Sequence, residues 1–120
     1  MPEPSSPWPP ELDAVIAAPK HHRLLLENDA VRVLETIIQP GETVPLHTHR
    51  SPATTYFVNW SDCVRRNDSG EVLMDSRLLE SKPSPGVAVW TPPLEPHTLE
   101  NVGSQPIHTI TVEIKKGFED

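Results

Sequence analysis

Proline is the residue that most restricts what this chain can fold into, because it occurs 15 times in 120 residues. Proline lacks a backbone N–H, ends α-helices, and is confined within sheets to edges, bulges and strand ends. A chain with this much proline is therefore expected to be built from many short strands and turns. Apolar residues make up 36% of the sequence, which is low but still compatible with one modest core.

Nine segments show alternating apolar residues or β-branched enrichment and predict short strands. They cover residues 22–27, 30–39, 43–49, 54–60, 63–66, 71–75, 87–91, 97–102 and 107–115. The separators, such as Pro40-Gly41 and Asn67 to Gly70, are typical of turns. Nine short strands at this spacing favour an all-β sandwich or closed barrel over an α/β fold.

The chain is expected to carry a short extension before its β domain. Residues 1–10 are rich in proline and read as an extended lead-in. Leu12, Val15 and Ile16 then follow at helical spacing, and the pattern stops at Pro19, which predicts one or two helical turns. We predict an N-terminal extension at 1–20, a β-barrel at 21–116 and a C-terminal tail at 117–120.

Charge and cysteine content limit the partners and the compartment. A formal net charge of −7 repels phosphate backbones and anionic lipid, so neither nucleic acid nor a membrane is an expected partner. Cys63 is the single cysteine, which excludes an intrachain disulfide and favours a reducing compartment. The first ten residues lack the basic and apolar regions of a secretory signal. We therefore expect a cytoplasmic protein.

Three histidines predict a metal site. His47 and His49 flank one residue on a predicted strand, so their side chains share a face at a spacing of about 6 to 7 Å. His97 follows a proline-rich turn and begins another alternating run, and it is the natural third ligand if a barrel brings the two segments together. The alternative is that these are ordinary, partly buried histidines.

The two histidine segments resemble the paired motifs of the cupin superfamily. The first motif of that family is glycine, five residues and His-x-His, and Gly41, His47 and His49 match it. The second is glycine, five residues, Pro-x-Gly, two residues, histidine, three residues and asparagine, and it is matched by Gly86, Pro92, His97 and Asn101. The resemblance spans residues 41–101 and implies a single-domain cupin, a jelly-roll barrel of the double-stranded β-helix type.

Two positions depart from the family pattern. Thr54 stands where the family has a glutamate ligand, and Leu94 stands at the second glycine. The resemblance then implies one divalent metal ion, Fe, Mn, Ni or Zn, on three neutral histidine nitrogens, with the remaining positions open. Without an anionic ligand the ion keeps its full positive charge and favours an anionic small molecule. The alternative is a barrel that has lost its metal together with the glutamate, but three histidines in register favour an intact site.

Two further residues are candidates for catalysis. Tyr56 shares the predicted face of Thr54 and Val58, which would put its phenol near the metal as a general acid. His108 alternates with Ile110, Val112 and Ile114, an apolar run expected to face the interior. Each residue could equally serve packing alone. His21 and His22 precede the first clear strand and are expected at the surface.

The resemblance is to a family with several activities. Three-histidine cupins include Fe(II)-dependent dioxygenases of thiols and diketones, so we expect a metal-dependent dioxygenase acting on a small thiol, diketone or carboxylate. The alternatives are a redox-neutral isomerase or lyase and a non-catalytic binding protein. A homodimer is the expected assembly, with Trp90 and Phe57 as candidates for packing or for the dimer surface.

Overall fold

The strands form two antiparallel sheets that enclose a common interior. In the computed structural model, which describes residues 8–115, the strands are β1 His22–Glu27, β2 Val31–Ile38, β3 Thr43–His49, β4 Ala53–Asn59, β5 Cys63–Arg66, β6 Val72–Asp75, β7 Ala88–Thr91, β8 Leu94–Asn101 and β9 Ile107–Ile114. One sheet has the order β1-β2-β9-β4-β7 and the other β3-β8-β5-β6. The all-β jelly-roll fold expected from the sequence is confirmed. The strand limits agree with the predicted ones to within one residue, except that β8 begins at Leu94, three residues before the predicted start.

Helical structure is confined to short pieces. The 3₁₀ turn Pro10–Leu12 and the helix α1 Ala14–Ala17 occupy the segment where one or two helical turns were predicted, and a further 3₁₀ turn covers Ser76–Leu78. The Asp13 side chain caps α1 by accepting a hydrogen bond from the Val15 N–H at 3.2 Å. No helix in residues 8–115 is long and apolar enough to cross a membrane. The rest of the predicted extension, residues 1–7, and the predicted tail lie outside the described residues.

The two glycines that open the histidine motifs both lie in turns that need left-handed backbone. Gly41 has φ +84° before β3, and Gly86 has φ +88° before β7. A side chain at either position would be strained, because L-residues rarely adopt positive φ. The motif glycines therefore allow the tight turns that lead into β3 and β7.

The core draws its side chains from both sheets and from the end of α1. Its buried cluster contains Ala18, Ile38, Val44, Cys63 and Ile107, and Trp60, Met74 and Leu99 pack against it. Most of these side chains also line an internal cavity. The packed core and the candidate site are therefore two parts of one interior.

The five-stranded sheet has more polar residues on its inner face than the sequence pattern suggests. In β9, Thr109 and Thr111 line the cavity together with Ile107. Since side chains alternate along a strand, His108, Ile110, Val112 and Ile114 lie on the outer face. The prediction that the apolar run of β9 faces inward was therefore wrong.

Asn101, the last residue of the second motif, joins the end of β8 to its surroundings. Its amide donates to the carbonyl oxygens of Ile38 and Gln105, at 2.9 and 2.8 Å, and its Oδ1 accepts from Ser61 Oγ and the Gly103 N–H, both at 3.0 Å. With 1% of its surface exposed, this amide has no access to water as a substitute partner. Asn101 thus serves to hold the fold together.

Candidate metal centre and ligand cavity

Four histidine rings from three strands form one cluster. His22 begins β1, His47 and His49 lie on β3, and His97 lies on β8 directly opposite His47. The ring centroids are 4.9 Å apart for His22 and His47, 5.0 Å for His47 and His49, and 4.3 Å for His47 and His97. One nitrogen from each of His22, His47 and His49 falls within 4.8 Å of the others, so these three residues lie close enough to hold a metal ion.

His22 is the member of the cluster that the sequence interpretation missed. His21 and His22 were predicted at the surface, but they are 6% and 5% exposed. The prediction was wrong because the turn after α1 starts β1 inside the sandwich, so its first side chain reaches His47 and His49, with centroid distances of 4.9 and 5.5 Å. His97 adjoins the three-residue group beside His47 and is 5.8 Å from His49.

The rings of the cluster all use Nδ1 for a hydrogen bond to an oxygen. The three that reach main-chain carbonyls are His22 to Ala18 at 3.1 Å, His47 to Pro45 at 2.8 Å and His97 to Glu95 at 2.6 Å. A carbonyl oxygen can only accept, so Nδ1 carries the proton in each ring and Nε2 keeps its lone pair. This is how proteins orient histidines that bind metals.

The fourth ring, His49, is held by a buried carboxylate. Its Nδ1 lies 2.9 Å from Glu113 Oε2, and Glu113 is only 3% exposed. The other oxygen of Glu113 accepts from Arg32 at 2.8 Å, and Arg32 in turn makes two bonds of 2.9 and 2.8 Å to Asp13. A chain of alternating charges therefore runs from the cap of α1 to the histidine cluster. Glu113 was not a candidate from the sequence, because the apolar residues of β9 were predicted to face inward and Glu113 therefore outward.

Burial keeps the imidazoles of His22, His47 and His97 neutral. It lowers the pKa of His22 and of His97 to about 4 and that of His47 to about 2, and the neighbouring rings add to the effect. Burial would raise the pKa of Glu113, but the hydrogen bond from His49 and the Arg32 charge hold it below its usual value. Neutral rings next to a charged carboxylate are the protonation states that metal binding requires.

The histidine cluster forms part of the wall of a cavity of about 270 Å³. Threonines from β2, β4, β7 and β9, apolar side chains from both sheets, Cys63 and Arg65 complete the lining. Burial raises the pKa of the Cys63 thiol to about 11, which keeps it protonated. Cys63 therefore contributes apolar volume, and the polar groups of the described lining are the histidine cluster, the threonines and Arg65.

Tyr56 and His108 lie away from the cavity. Tyr56 is 46% exposed on the outer face of β4, and Thr55 and Phe57 take the inner positions. His108 Nε2 lies 2.7 Å from Glu35 on the outer face of the same sheet. The predicted inward orientation was therefore wrong for both residues, because alternation places them on the side opposite the site.

Thr54 also points away from the histidine cluster. Its hydroxyl donates to the Val89 carbonyl oxygen at 3.3 Å, and it is absent from the residues that line the cavity. The position where the resemblance implied a glutamate ligand is thus turned out of the site. The carboxylate near the cluster is Glu113, which contacts a histidine ring at Nδ1.

Comparison with known proteins identifies the fold through structure alone. No family model and no curated protein matches the sequence. A cupin domain from Bordetella pertussis Tohama I is similar over 79% of this chain and 92% of its own length, with a TM-score of 0.65 and 19% identity. An RmlC-like cupin family protein from Methanocaldococcus jannaschii is similar over 96% and 93%, with a TM-score of 0.55 and 14% identity.

A third similar structure has a named activity. The polyketide cyclase RemF from Streptomyces resistomycificus has 21% identity and a TM-score of 0.52 over 79% of this chain and 64% of its own. At these levels of identity the similarities describe the fold and leave the chemistry to the site itself. The two antiparallel sheets and these neighbours together show that the chain has the cupin fold, the double-stranded β-helix.

Proposed function

We propose that this protein binds one divalent metal ion on its histidine cluster and acts as a metal-dependent dioxygenase of a small organic molecule. The observation that carries the proposal is the hydrogen bonding of the rings. All four Nδ1 atoms meet an oxygen acceptor, which leaves the Nε2 atoms for a ligand. His22, His47 and His49 offer nitrogens within 4.8 Å of one another, and the His97 ring lies 4.3 Å from that of His47. Buried rings usually make one such hydrogen bond, but ordinary packing does not require three histidine nitrogens to lie within 4.8 Å of one another.

The ligands of the proposed ion are His47, His49 and His97, as the sequence suggested, together with His22 from β1. Neutral nitrogen ligands suit Fe, Mn, Ni and Zn. An ion held by three or four of these rings would leave further positions for other ligands. When bound, a redox-active ion of this kind supplies the site for oxygen activation.

The lining of the cavity supports an oxygenase over an isomerase or lyase. Isomerisation needs a positioned acid or base beside the substrate, and the candidates for that role, Tyr56 and His108, lie outside the cavity. Among the described residues that line the cavity there is no aspartate or glutamate, and the Cys63 thiol stays protonated. A dioxygenase draws its chemistry from the metal and oxygen, so it needs only binding and orientation from such walls.

We also infer a homodimer, formed through the outer face of the five-stranded sheet. Tyr56, Val58 and Trp90 are 46%, 41% and 55% exposed there, beside the apolar outer residues of β9. A twofold dimer needs one patch that pairs with its own copy. Sedimentation should give twice the chain mass for the wild type and a shift toward one chain mass for Val58→Lys; a monomeric wild type at every concentration would contradict this assembly.

Metal content tests the first step of the proposal. Protein purified without added metal, or loaded with Fe(II) under anaerobic conditions, should carry one ion per chain by elemental analysis. His47→Ala and His22→Ala should lower that ratio strongly. His108→Ala is the matched control, since it removes an imidazole hydrogen-bonded to a glutamate on the outer face.

Oxygen uptake tests the second step. The Fe(II)-loaded protein is screened against thiols, diketones and small carboxylates, and consumption should require both metal and substrate and disappear in His47→Ala. Failure to bind any metal after reconstitution would refute the metal site. Metal binding without oxygen consumption by any member of the screen would refute the dioxygenase and favour the redox-neutral or binding alternatives.

A further inference from the structure

Arg65 places a positive charge in the wall of the cavity. It lies on β5, where its Cα is paired with Leu99 of β8 and Met74 of β6, and all three residues line the cavity. His97 lies two residues before Leu99 on the same face of β8, so the guanidinium and the histidine cluster are diagonal neighbours. Burial lowers the pKa of His97, and the hydrogen bond from His97 to the Glu95 carbonyl opposes that shift. The positive charge of Arg65 lowers the pKa further, which agrees with the proximity of the two side chains.

Arg65 has no protein partner for its charge within residues 8–115. It makes no hydrogen bond or ion pair there, although it is partly buried. The next residue, Arg66, lies on the opposite face of β5 and pairs with Glu100 at 2.9 Å. A partly buried guanidinium is costly to leave without a counter-charge, and in a chain with a net charge of −7 acidic residues are plentiful. An unpaired arginine in the cavity is therefore available for an anion from outside the protein.

The remaining lining defines the rest of such a ligand. No aspartate or glutamate is among the described residues that line the cavity, and the nearby Glu113 carboxylate lies behind His49 with its charge compensated by Arg32. Most of the wall is apolar, with Ile38, Phe57, Trp60 and Leu99 as its larger members. The volume of about 270 Å³ lies just below the range of about 300 to 1,000 Å³ that is usual for small-molecule sites. The ligand must therefore be small, mostly apolar and singly anionic.

We propose that Arg65 binds the carboxylate of a small monocarboxylic acid, whose apolar body fills the cavity beside the histidine cluster. A guanidinium presents two parallel N–H donors that match the two oxygens of a carboxylate, so the acid group would be both held and oriented. This proposal rests on the proposed function for the identity of the cavity as a substrate site. It adds the substrate class and the residue that selects it.

The test compares a carboxylate with its neutral isostere. Binding of hexanoate and hexanamide is measured by calorimetry for the wild type, Arg65→Gln and Arg66→Gln, each with metal removed by chelation and each loaded with zinc. Arg66→Gln is the matched control because it removes the same charge from the same strand on the outer face. We expect the metal-free wild type to prefer hexanoate by about 10-fold to 100-fold, as for a hydrogen bond to a charged group. Arg65→Gln should abolish that preference, and Arg66→Gln should keep it.

The outcomes separate this proposal from the proposed function. An unchanged preference for hexanoate in Arg65→Gln, an equal loss in Arg66→Gln, or no binding of hexanoate to the wild type would overturn the role of Arg65, even if metal binds. Loss of the preference in Arg65→Gln alone would support that role, even if no metal binds and the dioxygenase proposal fails. Circular dichroism of each variant checks that the fold is kept.

Discussion

Replacing Glu113 with glutamine should both destabilise the protein and weaken metal binding at the proposed site. The carboxylate accepts from His49 on one oxygen and from Arg32 on the other. An amide has only one oxygen, so its NH₂ group must face either the His49 Nδ1–H or the Arg32 guanidinium, which are both donors. One buried donor is then left without a partner, and the negative charge between the His49 ring and the Arg32 guanidinium is lost.

The size of this effect follows from burial. Breaking a buried ion pair by removing one partner costs about 3 to 5 kcal/mol. Arg32 retains its two bonds to Asp13, so we place the loss in unfolding free energy near the lower end, about 3 kcal/mol. Carboxylates that orient a metal-binding histidine contribute about 10-fold to 100-fold to metal affinity. Urea unfolding of the metal-free protein measures the first quantity, and competition with a chelator measures the second.

Glu35 provides the matched control for this experiment. It also accepts from an arginine and lies against a histidine, Arg23 and His108, but on the outer face of the same sheet. Glu35→Gln should therefore cost much less stability than Glu113→Gln and leave metal affinity unchanged. Equal losses in the two variants, or Glu113→Gln with wild-type stability and metal affinity, would refute the reasoning that the inner carboxylate orients the site.

Three other perturbations test the interior. The pKa values of His22 and His97 fall to about 4 and that of His47 to about 2, so below about pH 6.5 the unfolded chain binds more protons than the folded one. Metal-free protein should lose stability as pH falls from about 6.5 to 4, by up to about 4 kcal/mol per pH unit; equal urea midpoints at pH 7.5 and 5.5 would contradict this. Asn101→Ala should cost about 3 kcal/mol by leaving buried partners unpaired, measured by urea unfolding against Asn59→Ala. Gly103→Ala should cost about 1 to 3 kcal/mol, because its Cβ would overlap the Ser61 side chain, and a wild-type melting temperature would contradict that.

Local signals were enough to predict the strands. Turn residues separate the segments clearly, and glycines at Gly41 and Gly86 fix the entry to two of them, so strand limits depend mainly on chemistry within a few residues. The two histidine motifs were enough to predict the cupin fold, because the spacing of their residues can be read directly from the sequence of residues 41–101. His47 and His49 share a face for the same reason: alternation along one strand requires it.

Strand faces and distant neighbours were harder to predict. The usual assumption that apolar residues face inward fails in β9, where Thr109 and Thr111 line a cavity and Ile110 and Val112 lie outside. That one reversal hid Glu113 and misplaced His108. His22 was missed for a different reason, since β1 pairs with β2 and its approach to β3 depends on how the two sheets pack, which no local pattern encodes.

His22 joins the histidine cluster from the strand whose remaining residues are exposed. Among the described residues β1 is an edge strand paired with β2, and it is exposed beyond His22. The strand β3 is also at an edge of its sheet, but it is buried at His47 and Thr48 and is bridged at Thr48 by Asp13. Edge strands open at lower free energy than the strands they flank. Fraying of β1 would withdraw one nitrogen and free a coordination position while the other three rings stay in register. The rate at which a metal bound here exchanges its ligands would then be governed by the opening of one strand, and hydrogen exchange at residues 22–27 would report it.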